Sequence, residues 1–478
     1  MRVAFGKIKI TPPGGVIGKP LAGYSPVPRC TGILDDIYAH GILIESCTLG
    51  NIRKMTLLIS LDFLKIPLLV SSYIKNKVHE AHFDIKPAQV LIHATHTHKS
   101  MDMGGEFVYP GGFLSVLKSI MFGAYHSDDK YKVWIARRMV KLVDNLKRAL
   151  EPAKIGWGKE LIEAPIMLNR RHPTRYSKSR LGVISFKKQQ GDKLIGVIVN
   201  YAMHPTTLSA GITKLSADYP GRIVHKIEQL IGRKGCAAFF TGACGDLNPI
   251  TTCGTDFELL EKERQRVYGQ KGNYSNTKQL GYFLGEQAYR IASEIPTDSY
   301  LDEVDIKVFS EVFSVPMLDY KEHRPVVEWI KKRAIHLVKR LFLLRVALLL
   351  AEGEEPNFPG FAIKHDGRNI RLYSMVQYIH VSATNGESHP EFSIAGIPGE
   401  LFEDIARDIT REAPTGVGNT FVFENANDWI GYLFPIHEYL HAGGYEPMPS
   451  FSPLGGKLVR EAMLRLMAYI RNGITTFS

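Results

Sequence analysis

The chain is poor in cysteine: it has five in 478 residues, Cys30, Cys47, Cys236, Cys244 and Cys253, with no CxxC spacing. That excludes a disulfide framework and a zinc knot built on thiolates. It also lacks a G-x-S-x-G elbow, and the turn in "FTGACGD" carries Ala243 and Cys244 instead. A serine hydrolase of the α/β type is therefore unsupported. Cys244 as a nucleophile is the weaker reading, since a buried thiol after an apolar strand is more often inert. Long apolar runs are missing too. The run from Val346 to Ala351 falls far short of the roughly 20 residues that cross a bilayer. The N-terminus "MRVAFGKIKITPPGG" has no apolar core or cleavage site of a secretory signal, so a cytoplasmic protein is expected. No repeat, low-complexity tract or Gly/Ser linker divides the chain, which predicts one domain over residues 1–478.

What is present is a globular composition, 45% hydrophobic and 22% charged, with 59 Lys and Arg against 48 Asp and Glu. The excess of +11 suits an anionic partner. Part of it is local. In "EWIKKRAIHLVKRLFLLRVALLLAEGEE", Lys332, Arg333, His336, Lys339 and Arg340 fall on one side at helical spacing, which predicts a basic amphipathic helix near 324–352. A packed helix with a solvated basic face and a helix lying on an anionic membrane both fit that pattern.

Apolar β-branched runs alternate with helical patterns. "MTLLISLDF", "AQVLIHATHTH", "LIGVIVNYAMHP", "CAAFFTGACGDLNP" and "FSIAGIPGE" predict strands. "YKVWIARRMVKLVDNLKRALEP", "PGRIVHKIEQLIG" and "TKQLGYFLGEQAYRIASEI" predict helices. The fold class expected is α/β, a mixed β-sheet core flanked by helices, with the site at the carboxyl ends of the strands. Each predicted strand ends in a residue able to do chemistry: Asp62, then His96 and His98, then His204, then Asp246, then Glu400. On an extended backbone His96 and His98 share a face and His93 takes the other. Paired histidines at a strand end can equally be core or turn residues, and Glu400, after Pro398 and Gly399, can equally cap a helix. Asp62 and Asp246 are expected to support the site rather than react.

Eight stretches in order resemble the neutral ceramidase family, zinc-dependent hydrolases of the ceramide N-acyl bond. They are "KITPP", "LAGY" at Leu21–Tyr24, "THTH" at Thr95–His98, "LNR" at Leu168–Arg170, "NYAMHPTTL", "GDLNP", "IPGE" and "YLFPIHEYLHAGGYE" from Tyr432 to Glu446. The resemblance covers roughly residues 1–450 and lacks the family's C-terminal immunoglobulin-like domain. It implies Zn²⁺ held by His96, His204, Glu400 and Tyr432, with His98, Arg170 and Tyr445 beside the reacting carbonyl. It also implies a small N-acyl lipid-like substrate cleaved by a zinc-activated water, with no nucleic-acid partner. Two departures stand out. "THTHKSMDMGG" replaces the family's "THTHSGP", and "NRRHP" replaces "NRSP". Lys99 and Arg171 are accordingly expected at the rim, where they would select substrates. The alternative is a non-catalytic lipid-binding protein that keeps its metal for stability.

Overall fold

The computed structural model describes residues 1–24, 27–47, 52–104, 129–172, 177–250, 273–317, 361–366, 369–384, 391–440, 446–447 and 449–472. The basic stretch near 324–352 and Tyr445 lie outside these residues. Among the described residues no helix is long and apolar enough to cross a membrane.

Strands β1 (Arg2–Lys9), β3 (Tyr38–Cys47), β4 (Arg53–Leu61) and β5 (Val90–Ala94) form one half of an eight-stranded sheet, and β6 (Glu151–Leu161), β8 (Arg180–Lys188), β9 (Leu194–Tyr201) and β11 (Ala237–Thr241) form the other. Only Arg2–Pro152 and Val3–Glu151 pair across the β1–β6 junction. The halves fold towards each other, so that β11 reaches the far edge: Ser60 Oγ donates to Phe239 O at 2.6 Å, and Thr241 N donates to His93 Nε2 at 2.9 Å. A second sheet contains β13 (Val304–Pro316), β14 (Ala362–Asp366), β15 (Asn369–Ala383), β16 (Phe392–Gly396) and β18 (Thr420–Phe423). Three two-stranded ladders complete the set: β2 (Gly32–Ile33) with β10 (Lys214–Leu215), β7 (Met167–Asn169) with β12 (Leu247–Pro249), and β17 (Glu400–Leu401) with β19 (Tyr432–Leu433).

Period-2 patterning sorts side chains between layers. Val3, Phe5, Ile42, Ile44, Leu58, Ile184, Phe186, Ile379 and Phe421 enter a core shared by the two large sheets. Their neighbours Ala4, Leu43, Leu57 and Ile59 turn outward under helices Leu68–Ala81 and Asp129–Arg148. Val183, Val197 and Phe239 likewise pack under helices Asp218–Ile231 and Tyr274–Glu294. Helix Asp129–Arg148 approaches its sheet closely because Gly6 and Gly41 are register partners on β1 and β3. A Cβ at Gly41 would stand 2.8 Å from Leu146 Cδ1.

Among the described residues most strand pairs are antiparallel, but within the two large sheets three are parallel, β4–β5, β9–β11 and β16–β18, as are the small ladders β2–β10 and β17–β19. Parallel neighbours need a crossover, and helices Leu68–Ala81, Asp218–Ile231 and Glu403–Glu412 provide it for the three pairs in the large sheets. The mixed α/β class and all five predicted strands are present. One detail differs from expectation. Glu400 does not open a helix; it lies in β17, register partner of Tyr432, and the helix starts at Glu403.

Candidate metal centre

The three crossover units carry the candidate residues at their carboxyl ends, where ligands collect in α/β sheets. His96 and His98 follow β5, His204 follows β9, and Glu400 follows β16. The chain turns sharply after β5. His96 has φ 67°, an uncommon conformation for a residue other than glycine, of the kind that clusters at functional sites. Its N–H donates to Phe63 O at 2.8 Å, which holds the turn.

All three imidazoles are buried, with exposures of 1% for His96, 7% for His98 and 1% for His204. Each Nδ1 faces a backbone carbonyl: His96 faces Leu64 O at 2.7 Å, His98 faces Gly23 O at 3.0 Å and His204 faces Cys244 O at 3.2 Å. A carbonyl can only accept, so each Nδ1 carries the proton and each Nε2 presents a lone pair. Those lone pairs converge. His204 Nε2 stands 3.1 Å from His96 Nε2 and 3.1 Å from His98 Nε2. Burial, and then the neighbouring His96, push His98 and His204 well below the ordinary imidazole pKa, so protonation does not relieve the repulsion.

Glu400 completes one side. Its Oε1 accepts from Trp429 Nε1 at 3.0 Å, and its Oε2 lies 3.2 Å from His96 Nε2 and 3.7 Å from His204 Nε2. Among the described residues that buried Oε2 has no hydrogen-bond partner. Burial raises the Glu400 pKa, and a hydrogen bond from Tyr432 opposes that rise. Nitrogens sharing one zinc at about 2.0–2.1 Å stand roughly 3.3 Å apart in a tetrahedral site. The observed spacings and the orphaned carboxylate oxygen fit a metal ion. The His96, His98 and His204 group can hold one.

The other sequence-derived residues are placed as follows. Tyr432 is buried beside Glu400, and the Arg170 guanidinium lies 5.1 Å from its ring centre. Arg170 is itself clamped. Its Nε donates to Glu446 Oε1 at 2.8 Å, its Nη1 to Asn248 Oδ1 at 3.2 Å, and its Nη2 to Gly245 O. Asp246 accepts from Asn169 Nδ2 and Glu403 N, and Asp62 accepts from Tyr38 N, so both support loops as expected. Cys244 is fully buried, and burial pushes its thiol well above the ordinary range. His93 is bonded to Ser60 and Thr241, away from the group.

Two expectations fail. Lys99 is not at the rim: it is 0% exposed, donates to Ser209 O at 2.9 Å and sits 4.5 Å over the Tyr24 ring. Arg171 is also largely covered, spanning Glu438 at 3.2 Å and Glu446 at 3.3 Å. Opposing carboxylates distant in sequence draw Arg171 inwards, and a carbonyl and an aromatic face do the same for Lys99. Sequence reading also missed Trp429, Glu424 and Glu446. Only Glu446 belongs to a quoted stretch, and no local pattern marks the other two.

No protein-family model matches the sequence, and no curated protein matches it. Solved structures do match. One is the neutral ceramidase from Pseudomonas aeruginosa, at TM-score 0.67 and 17% identity, covering 100% of this chain and 75% of that one. Another, described as a ceramidase complexed with C2, has TM-score 0.70 and 17% identity, covering 100% of this chain and 76% of that one. The motif resemblance and the structural likeness thus agree, and the chain has the neutral ceramidase fold over its whole length.

Proposed function

We propose that the chain is a zinc-dependent amidohydrolase acting on an N-acylated, lipid-like substrate. The observation that carries this is the convergence of three Nε2 lone pairs and one orphaned carboxylate oxygen on a buried point. A fold shared with structures named as ceramidases supports the amide substrate class. Zinc suits a donor set of nitrogens and a carboxylate, and His96, His204, Glu400 and Tyr432 would hold it. When bound, such an ion supplies Lewis-acid chemistry, acidifying a water and polarising a carbonyl.

The chain's own groups supply the rest. His98 Nε2, an acceptor because Nδ1 bonds Gly23 O, can take a proton from the attacking water and return it to the leaving amine. Arg170, held by Glu446 and Asn248, offers positive charge that needs no reorganisation as the carbonyl oxygen gains negative charge. Tyr445 shares that role by resemblance alone.

A screen of N-acyl compounds against zinc-loaded protein tests the reading. Hydrolysis should appear and be lost on chelation and in His204→Ala. Arg170→Ala should lower turnover by about 10² to 10³ with zinc content intact. No hydrolysis of any N-acyl compound by zinc-loaded protein would favour the non-catalytic lipid-binding alternative.

A further inference from the structure

Glu424 follows β18, is 0% exposed, and is fixed by its backbone N–H, which donates to Thr241 O at 3.0 Å. Its carboxyl reaches two loops far apart in sequence. Oε2 accepts from Cys244 N at 3.0 Å and from Leu401 N at 3.0 Å. Oε1 accepts from Cys244 Sγ at 2.9 Å and from Asn425 Nδ2 at 3.4 Å. Both loops adjoin the histidine and carboxylate group. Cys244 supplies the carbonyl that bonds His204 Nδ1, and Leu401 follows Glu400 directly. The loops also touch. Gly245 N donates to Leu401 O at 2.9 Å, and a Cβ on Gly245 would stand 2.6 Å from Glu400 O.

We infer that Glu424 is a positioning residue that fastens the Cys244 loop, whose carbonyl bonds His204 Nδ1, to the Glu400 strand and so sets the distance between a nitrogen and an oxygen donor of one metal ion. The inference rests on the metal reading given above. Its physical basis is that two parallel crossover units, β9–β11 and β16–β18, each deliver one donor. Their relative placement depends on whatever bridges them. A single buried carboxylate oxygen accepting one N–H from each loop is such a bridge, and groups behind metal ligands typically contribute about 10- to 100-fold in metal affinity.

The test is zinc titration of the full chain against a competing chelator, with the Co²⁺ absorption spectrum as a second readout, for wild type, Glu424→Ala and Glu424→Gln. Glu424→Ala should bind zinc about 10- to 100-fold more weakly and show altered Co²⁺ bands. Glu424→Gln keeps one oxygen for the two backbone donors but turns an amide N–H₂ towards Cys244 Sγ, so it should lose less. Zinc affinity and Co²⁺ bands equal to wild type in both folded variants would overturn the clamp and leave the metal reading standing. Absence of metal uptake by the wild type would overturn both. Unfolding of both variants in the metal-free state would overturn the clamp too, since the carboxyl would then be holding the fold rather than the site.

Discussion

At Gly23 the backbone takes φ +102°, and a Cβ there would lie 2.4 Å from His98 Nδ1. The residue thus meets two demands together: a left-handed conformation and a close approach that leaves its own carbonyl bonded to Nδ1. Gly23→Ala should push the imidazole off that carbonyl and turn its Nε2 away from the group. Turnover on an N-acyl substrate should fall by about 10² or more with zinc content intact, and unchanged turnover would show that His98 is not held through Gly23. "LAGY" is visible in the sequence, but the contact that makes its glycine necessary joins residues 75 apart. The same separation hid the burial of Lys99, whose partners Tyr24 and Ser209 lie on two other loops.

Among the elements, the turn after β7 and the segment after β19 are joined by alternating charges: Arg170 and Arg171 on one side, Glu446 and Glu438 on the other. Arg170 and Glu446 side chains are each 2% exposed. Removing one partner of a buried pair costs about 3–5 kcal/mol because the other charge stays buried. Glu446→Gln should therefore lower unfolding stability by about 3 kcal/mol or more in urea, and a loss below 1 kcal/mol would show the pair to be solvated. Helix Leu68–Ala81 makes a second prediction. Lys75 on its buried face is 4% exposed, and burial lowers its pKa from 10.5 to about 7. Between about pH 7 and 10.5 the unfolded chain holds a proton that the folded chain does not. Stability from this group should thus rise with pH across that window, and Lys75→Met should remove the slope. An equal slope in the variant would place its origin elsewhere. These elements also show where local reading succeeds. Continuous apolar runs ending in His, Asp or Glu exposed β4, β5, β9, β11 and β16. The half-solvated antiparallel β6, β13 and β15 carry no comparable signal. Glu400 resembled a helix start because Pro398 and Gly399 precede it. Its true setting is a ladder made by Glu400 N to Gly431 O at 3.0 Å and Phe402 N to Leu433 O at 3.0 Å.

On the scale of the whole molecule, no segment contains the site. His96 and His98 come from one crossover unit, His204 from a second and Glu400 from a third. The donors therefore meet only in the folded chain, so that metal uptake, on the proposed reading, would be coupled to folding. A ligand that binds only the folded form at 1,000 times its dissociation constant adds about 4 kcal/mol, so chelation should lower the unfolding temperature. The central claim is that this buried group holds one metal ion. The direct measurement is zinc per chain by elemental analysis of wild type, His96→Ala and His204→Ala after equilibration with zinc and gel filtration. The account predicts one zinc per wild-type chain and substantially less than one in each variant. No zinc in the wild type, or a full equivalent in both variants, would contradict it.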